Sequence, residues 1–199
     1  MKRSLFLSAA LALVSLAAPR LADAAAWDID ASHSAVSFSV RHLMVSNVRG
    51  ELGKVSGTIN VDDKDITKST VEATIEVAAI NTRDAKRDEH LRSPDFLDAA
   101  KFPVITFKST KVEKAGAGLK VTGNLTLRGV TKEVVLSVEG PMPAVKDPWG
   151  NTKSGFTATA KLNRKDFGVS WNKTIDGGGL VVGDEISVTI DLEVAAKKK

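Results

Sequence analysis

The chain has no cysteine and no tyrosine, and among its 199 residues only three histidines and ten rings of Phe or Trp (seven and three). Without cysteine there can be no disulfide framework, no thiolate metal site and no lipid-bearing cysteine behind an apolar leader. The histidines, His33, His42 and His90, match no metal-binding spacing, and no His-Glu-x-x-His occurs. A Gly-x-Ser-x-Gly elbow is also missing, so a serine hydrolase of that type lacks its signature. Gly50-Glu51-Leu52-Gly53-Lys54 has neither the spacing nor the following Ser/Thr of a phosphate loop. No cofactor is implied. Acids and bases alternate along the chain and give no basic patch of the kind nucleic acid needs, which argues against a nucleic-acid partner.

No apolar run reaches the ~20 residues of a transmembrane helix. The longest, Leu5 to Ala18, follows Lys2 and Arg3, ends at Pro19-Arg20, and precedes Ala22-Asp23-Ala24-Ala25-Ala26. That is the layout of a secretory signal peptide. Cleavage after Ala24 is expected, with Ala26 as the alternative, releasing an exported protein with no integral membrane segment. Removing residues 1–24 takes Lys2, Arg3 and Arg20 together with Asp23, so 28 basic and 24 acidic residues become 25 and 23, net +2. The expected organisation is a signal peptide over 1–24, one domain over 25–196, and a basic tail at 197–199. A domain of this size buries enough apolar surface to stand without disulfides.

What the mature chain has in abundance is period-two alternation, the mark of strands with one buried and one wet face. Val36, Phe38 and Val40 alternate with Ser37, Ser39 and Arg41, and the pattern returns over 55–61, 71–77, 104–112, 119–127, 134–138, 156–162 and 186–194. Eight strands are expected. The links at Asp62-Asp63-Lys64, Lys114 to Gly118, Arg128-Gly129-Val130 and Gly140-Pro141 are short and rich in turn residues, which favours antiparallel neighbours. Eight such strands fit a sandwich or a closed barrel, and periodicity does not choose between them. Inward positions mix small residues (Gly57, Ala73, Gly123, Ala158, Ala160) with branched ones, so a barrel lined this way has room inside.

The stretch Asn81 to Phe102 breaks the rhythm. Its charges and the Ser93-Pro94-Asp95 step predict one or two short helices, with Ser93 read as an N-cap, docked on the sheet by Leu91, Phe96, Leu97 and Phe102. Arg83, Asp84, Arg87, Asp88 and Arg92 read as an exposed helix face laced by i,i+4 pairs such as Asp88 with Arg92. The loops over 141–155 and 163–183 are long for a compact domain, and long ordered loops are often functional.

Several blocks, in order, carry a family likeness. They include Trp27-Asp28-Ile29-Asp30-Ala31-Ser32-His33-Ser34, Val36 to Leu43, Val48-Arg49-Gly50, and Arg87-Asp88-Glu89-His90-Leu91-Arg92-Ser93-Pro94-Asp95-Phe96-Leu97. Lys101-Phe102-Pro103, Leu125 to Lys132, Arg164-Lys165-Asp166-Phe167-Gly168-Val169 and Gly183-Asp184-Glu185-Ile186 continue it. Through them the chain resembles the YceI-like family over essentially all of its mature length. The resemblance implies an all-β fold, an eight-stranded antiparallel lipocalin-like barrel with a short helical insertion. It further implies a periplasmic location, no enzyme activity, and transport or sequestration of a long-chain isoprenoid or lipid ligand: a polyisoprenoid, a polyprenyl phosphate or a fatty amide. It leaves the oligomeric state open, a homodimer included.

The residues themselves give the expected lining: Phe38, Val40, Ile75, Val77, Phe107, Leu125, Leu127, Leu136, Ala158, Ala160, Ile186, Val188 and Ile190, with His42 and Arg49 near a mouth as head-group candidates. Apolar chain gains ~25 cal/mol per Å² removed from water, so such a bore could hold an isoprenoid with few hydrogen bonds. The alternatives from the residues are a scaffolding or protein-interaction module with a filled core, and a hydrolase with an unfamiliar site.

Overall fold

The computed structural model describes residues 25–197; the signal-peptide reading and the last two lysines lie outside the described residues. The strands are β1 (Ala25–Ile29), β2 (Ala35–His42), β3 (Ser46–Glu51), β4 (Val55–Val61), β5 (Thr70–Glu76), β6 (Val104–Ala115), β7 (Gly118–Leu127), β8 (Val130–Glu139), β9 (Val145–Lys146), β10 (Thr152–Asn163) and β11 (Val182–Ala196). All pairings between them are antiparallel. β1 and β2 lie end to end along one edge of β11, at Ile29↔Val194 and Ala35↔Asp191, and together act as one stave. β3 and β4 continue one another in the same way, β3 against β2 and β4 against β1. From that second stave the sheet runs through β5, β6, β7, β8 and β10, and closes where β10 pairs with β11. The result is a closed eight-stranded antiparallel barrel, so of the two architectures open to the alternation the barrel is the one adopted.

The alternation sets which side chain points inward. Along β10, Phe156 and Ala158 are buried while Thr159 and Lys161 are exposed. Along β6 and β7, Ile105, Val112, Val121 and Leu125 are buried against wet Thr106, Lys111, Lys120 and Asn124. Two inward glycines make room for rings. A Cβ on Gly123 would strike the Phe107 ring, and one on Gly50 would strike Phe38 and Thr82. Each phenylalanine therefore lies flat over its neighbouring strand instead of spanning the bore. Val194, Val36 and Val55, at 0%, 2% and 2% exposure, anchor one end of the interior with Ile29, Ile59 and Phe156. A fully buried valine contributes ~1.5–3 kcal/mol.

Two local expectations are corrected. The one α-helix among the described residues, α1 (Ala85–Arg92), is capped by Asp84, whose carboxylate accepts from Lys86 N and Arg87 N at 3.1 Å each. Ser93 is its C-cap, not the N-cap of a second helix, and donates to His90 O from both its backbone and its hydroxyl. Asp88 does not belong to an exposed charge ladder: it is buried and accepts from Thr82 N (2.8 Å) and Thr82 Oγ1 (2.5 Å), tying the helix to the chain that leads into it. The β2–β3 hairpin turns through Leu43 and Met44 at φ of 50° and 62°. That left-handed backbone costs L-residues roughly 1–2 kcal/mol each.

Candidate functional site: an apolar cavity inside the barrel

The inward faces do not meet in the middle. They enclose an apolar cavity of about 260 Å³. Phe38, Val40, Ile75, Phe107, Leu127, Leu136, Ala160, Ile186, Val188 and Ile190 all border it yet are only half buried, although their strands turn them away from solvent. In a close-packed core such positions fall to a few per cent exposure; here the residual surface faces the cavity. Leu125 and Ala158 complete this wall. An apolar cavity of ~150 Å³ accepts one benzene, so 260 Å³ has room for about ten carbons, two isoprene units.

Three of the expected site residues are not on the cavity wall: Val77 from the lining, and His42 and Arg49, the head-group candidates expected near a mouth. Val77 is buried at 2% in a cluster with Ile105, Leu125, Val134 and Phe167 and does not border the cavity. His42 is the last residue of β2, paired with Ser46 and with Val182; Val182 borders the cavity, so His42 stands beside the wall without forming part of it. Arg49, opposite Ser39, points from the outer face into a separate polar hollow with Ser37, Ser39, Asn81, Arg83, Ser187 and Thr189.

One end of the cavity is roofed by residues that alternation did not identify. Leu91, Phe96 and Leu97 come from α1 and the turn after it, and Phe167 and Val169 from the turn that follows β10. The two segments are joined by rings: His90 meets Phe96 and Trp171 edge-on at 4.9 Å each, and Phe96 lies 5.2 Å from Trp171. His90 Nε2 also lies 2.8 Å from Asp95 Oδ2. Arg128, in the β7–β8 turn, clamps both segments by donating to Pro94 O (2.7 Å) and Gly168 O.

Arg164 is the one charged residue on the cavity wall, and it is 5% exposed. Its Nε donates to Gly183 O (2.9 Å) and its Nη1 to Val169 O (2.7 Å) and Trp171 O (2.9 Å). Nη2 points to Val182 O and Asp184 Oδ1 at 3.4 and 3.3 Å. Burial pushes its pKa down, and Asp184 partly restores it. With every guanidinium nitrogen directed at the protein, Arg164 holds the 164–184 segment in place and offers no donor to a ligand. Ser69 is the other polar residue at the wall. Apart from Arg164 and Ser69, whose Oγ accepts from Asp62 N at 3.0 Å, the wall offers a ligand only hydrocarbon contact.

Among the described residues, Asp30, His33 and Glu193 form a group with metal-ligand spacing. The place a cation would take is held by Lys153 Nζ, 2.6 Å from Asp30 Oδ2 and 2.9 Å from Glu193 Oε1. This ammonium, ahead of the Ser32 hydroxyl and His33, holds the Asp30 carboxyl well below the usual carboxylate range. Asp30 and then Glu193 raise Lys153 above the usual lysine value. The cluster ties the β1–β2 junction to β10 and β11, and none of its residues borders the cavity.

A closed antiparallel barrel around an apolar cavity, with one fully paired arginine on its wall, is lipocalin-like in architecture. Comparison with known proteins gives the family. Residues 27–194 match the YceI-like domain, and the chain belongs to the YceI-like family. It is 38% identical to a UPF0312 protein of Vibrio parahaemolyticus over the whole of both chains, and 40% identical to the protein YceI of Salmonella newport over 86% of each. Among solved structures, the YceI protein of Campylobacter jejuni (35% identity; 79% of this chain and 90% of that one) superposes with a TM-score of 0.66. A polyisoprenoid-binding domain from Saccharophagus degradans, 16% identical, covers 87% of this chain and 99% of its own with a TM-score of 0.59 and shares the fold.

Proposed function

We propose that the protein is exported to the periplasm and there carries or sequesters a long-chain amphiphile, a polyisoprenoid, a polyprenyl phosphate or a fatty amide, with its hydrocarbon inside the barrel. The observation that carries this reading is the 260 Å³ cavity walled by aliphatic and phenylalanine side chains whose one charge, Arg164, is fully engaged by the protein. A wall of this kind suits binding and not catalysis, since acid–base or covalent chemistry needs a free titratable or nucleophilic group at the reacting atoms. The Saccharophagus domain that shares the fold is described as polyisoprenoid-binding. A chain longer than two isoprene units is accommodated as half-buried side chains such as Leu127, Leu136 and Val188 swing aside, or by passing beneath the roof. The leader over residues 1–24 supports the location.

The test is to purify the protein from the periplasm, extract it with organic solvent, and identify the extract by mass spectrometry. One long-chain lipid per protein is expected. An empty extract, followed by no uptake of any long-chain probe, would replace the carrier with the scaffolding reading.

A further inference from the structure

The tip of the β2–β3 hairpin is built against the usual rules for a turn. Leu43 and Met44 both occupy the left-handed region, where glycine, asparagine or aspartate would sit with less strain and would be wetted at no cost. Instead the tip reads Leu43-Met44-Val45, exposed at 37%, 55% and 76%. The sequence therefore accepts both backbone strain and exposed hydrocarbon at one point. The tip is nonetheless firmly positioned. Leu43 N donates to Val181 O at 2.8 Å, and the Arg41 guanidinium donates to Met44 O at 2.7 Å. Met44 also lies beside Gly179 of the neighbouring loop, whose Ile175 and Leu180 are only half buried.

Its place in the barrel is informative too. Val40, three residues before the tip, and Val182, paired with His42, both line the cavity at the roofed end, as does Val169. The apolar tip thus projects from the end of the barrel where the α1 segment and the 164–181 loop cover the interior. The charge around it has one dominant sign. Arg41 is exposed at the base of the tip, and Lys173, also exposed, accepts at its carbonyl from Val181 N at 3.0 Å. Asp176 is the acid of the adjoining loop, while Asp184 is already engaged by Arg164 and Lys165. Bulky apolar residues at an apex, flanked by Arg41 and Lys173, match an interface of acyl chains beneath anionic phosphates.

We propose that Leu43-Met44-Val45 is a membrane-docking tip that inserts into the surface of an anionic lipid bilayer, with Arg41 and Lys173 against lipid phosphates and the roofed end of the barrel turned toward the membrane. It deepens the carrier reading by giving the route by which cargo leaves a bilayer, and its test is separable from that reading. The wild-type protein and the Leu43→Asn/Met44→Gly/Val45→Ser variant are sedimented with vesicles of phosphatidylglycerol and phosphatidylethanolamine in equal amounts. The new residues suit a left-handed turn, so the variant is expected to fold and melt at or above the wild-type temperature. Its vesicle-bound fraction is expected to fall at least about tenfold, with uptake of a polyprenol probe from detergent micelles unchanged and uptake from vesicles slowed. Lys173→Gln should weaken binding to these vesicles and lose that effect on vesicles of phosphatidylcholine alone. Equal sedimentation of wild type and variant, or no wild-type binding, would overturn the proposal. So would a wild-type dimer in analytical ultracentrifugation that the variant loses, since the tip would then join two copies of the chain. Vesicle binding that persists while solvent extraction finds no lipid would sink the carrier and leave the docking tip standing.

Discussion

Replacing Ala160 with tryptophan separates a cavity from a packed core with one side chain. Ala160 lies on the inward face of β10, opposite Val188 of β11, and borders the cavity half buried. Its neighbour Thr159 is exposed on the outer face, between Thr189 and Ser137. An indole buries ~150–250 Å², and 260 Å³ of empty space can take most of its ring. In the barrel as described, the variant should lose less than about 1 kcal/mol in urea unfolding; forced into a filled core it would lose ~1–3 kcal/mol or more through displaced neighbours. The bound ligand is affected far more. If the indole excludes a single five-carbon isoprene unit, at ~0.8 kcal/mol per carbon, affinity falls by ~4 kcal/mol, about a thousandfold in Kd. Titration of delipidated protein with a fluorescent polyprenol probe reads this directly, and Thr159→Trp should bind within about threefold of wild type, since its ring stays outside. Normal probe binding by Ala160→Trp, or strong destabilisation with no change in binding, would refute an internal ligand site.

Lys153→Met should remove the pH dependence that belongs to the ion cluster. Asp30 is depressed, so its stabilisation is present above the unfolded carboxylate pKa of ~3.9 and is lost as pH falls below it. Lys153 is raised, so its contribution is complete below ~10.4 and is lost as pH rises through its elevated value. Thermal melts across pH should therefore fall off at both extremes in wild type and flatten there in the variant; parallel profiles would contradict the pairing. Arg164→Met should leave the carbonyls of Val169, Trp171 and Gly183 without their donors. At ~1–3 kcal/mol for each buried unsatisfied group, a loss of about 3 kcal/mol or more is expected in denaturant unfolding, and a loss under about 1 kcal/mol would show that water replaces the guanidinium.

Alternation alone located all eight staves, because a barrel with one wet and one apolar face imposes period two on every strand. The segments it passed over have identifiable reasons. β3 has a single branched residue, Val48, and its next inward position is Gly50, whose missing side chain is supplied by Phe38 from across the ladder. β1 begins in an alanine run that merges with the end of the leader, and β9 is two residues long. Ser93-Pro94-Asp95 carries the residue types of a helix start, yet those types also close helices and build turns, and the hydrogen bonds of Ser93 to His90 O decide the matter. Asp88 looked like a surface charge because its partner, Thr82, is a neutral residue outside the helix.

The cavity wall contributed by the strands was legible for the same periodic reason, whereas the roof was not. Leu91, Phe96 and Leu97 were read as docking on the sheet, but that they close a hollow depends on where the 164–181 loop returns, a relation set by contacts distant in sequence. Arg164 lies beyond any period, since its carbonyl partners stand 5 to 19 residues further along in irregular chain. Arg49 reads from the sequence as a head-group candidate near a mouth; its pairing with Ser39 puts it on the outer face, in a polar hollow apart from the cavity.

The most direct measurement of the central claim is isotope-filtered NOE spectroscopy on methyl-labelled protein loaded with an unlabelled long-chain polyprenol. The account predicts cross-peaks from the chain to Leu136, Val188 and Ile190 on the cavity wall and none to Val135, which stands 44% exposed on the outer face of the same strand as Leu136. Cross-peaks confined to outward methyls such as Val135, with Leu136 and Val188 silent, would contradict it.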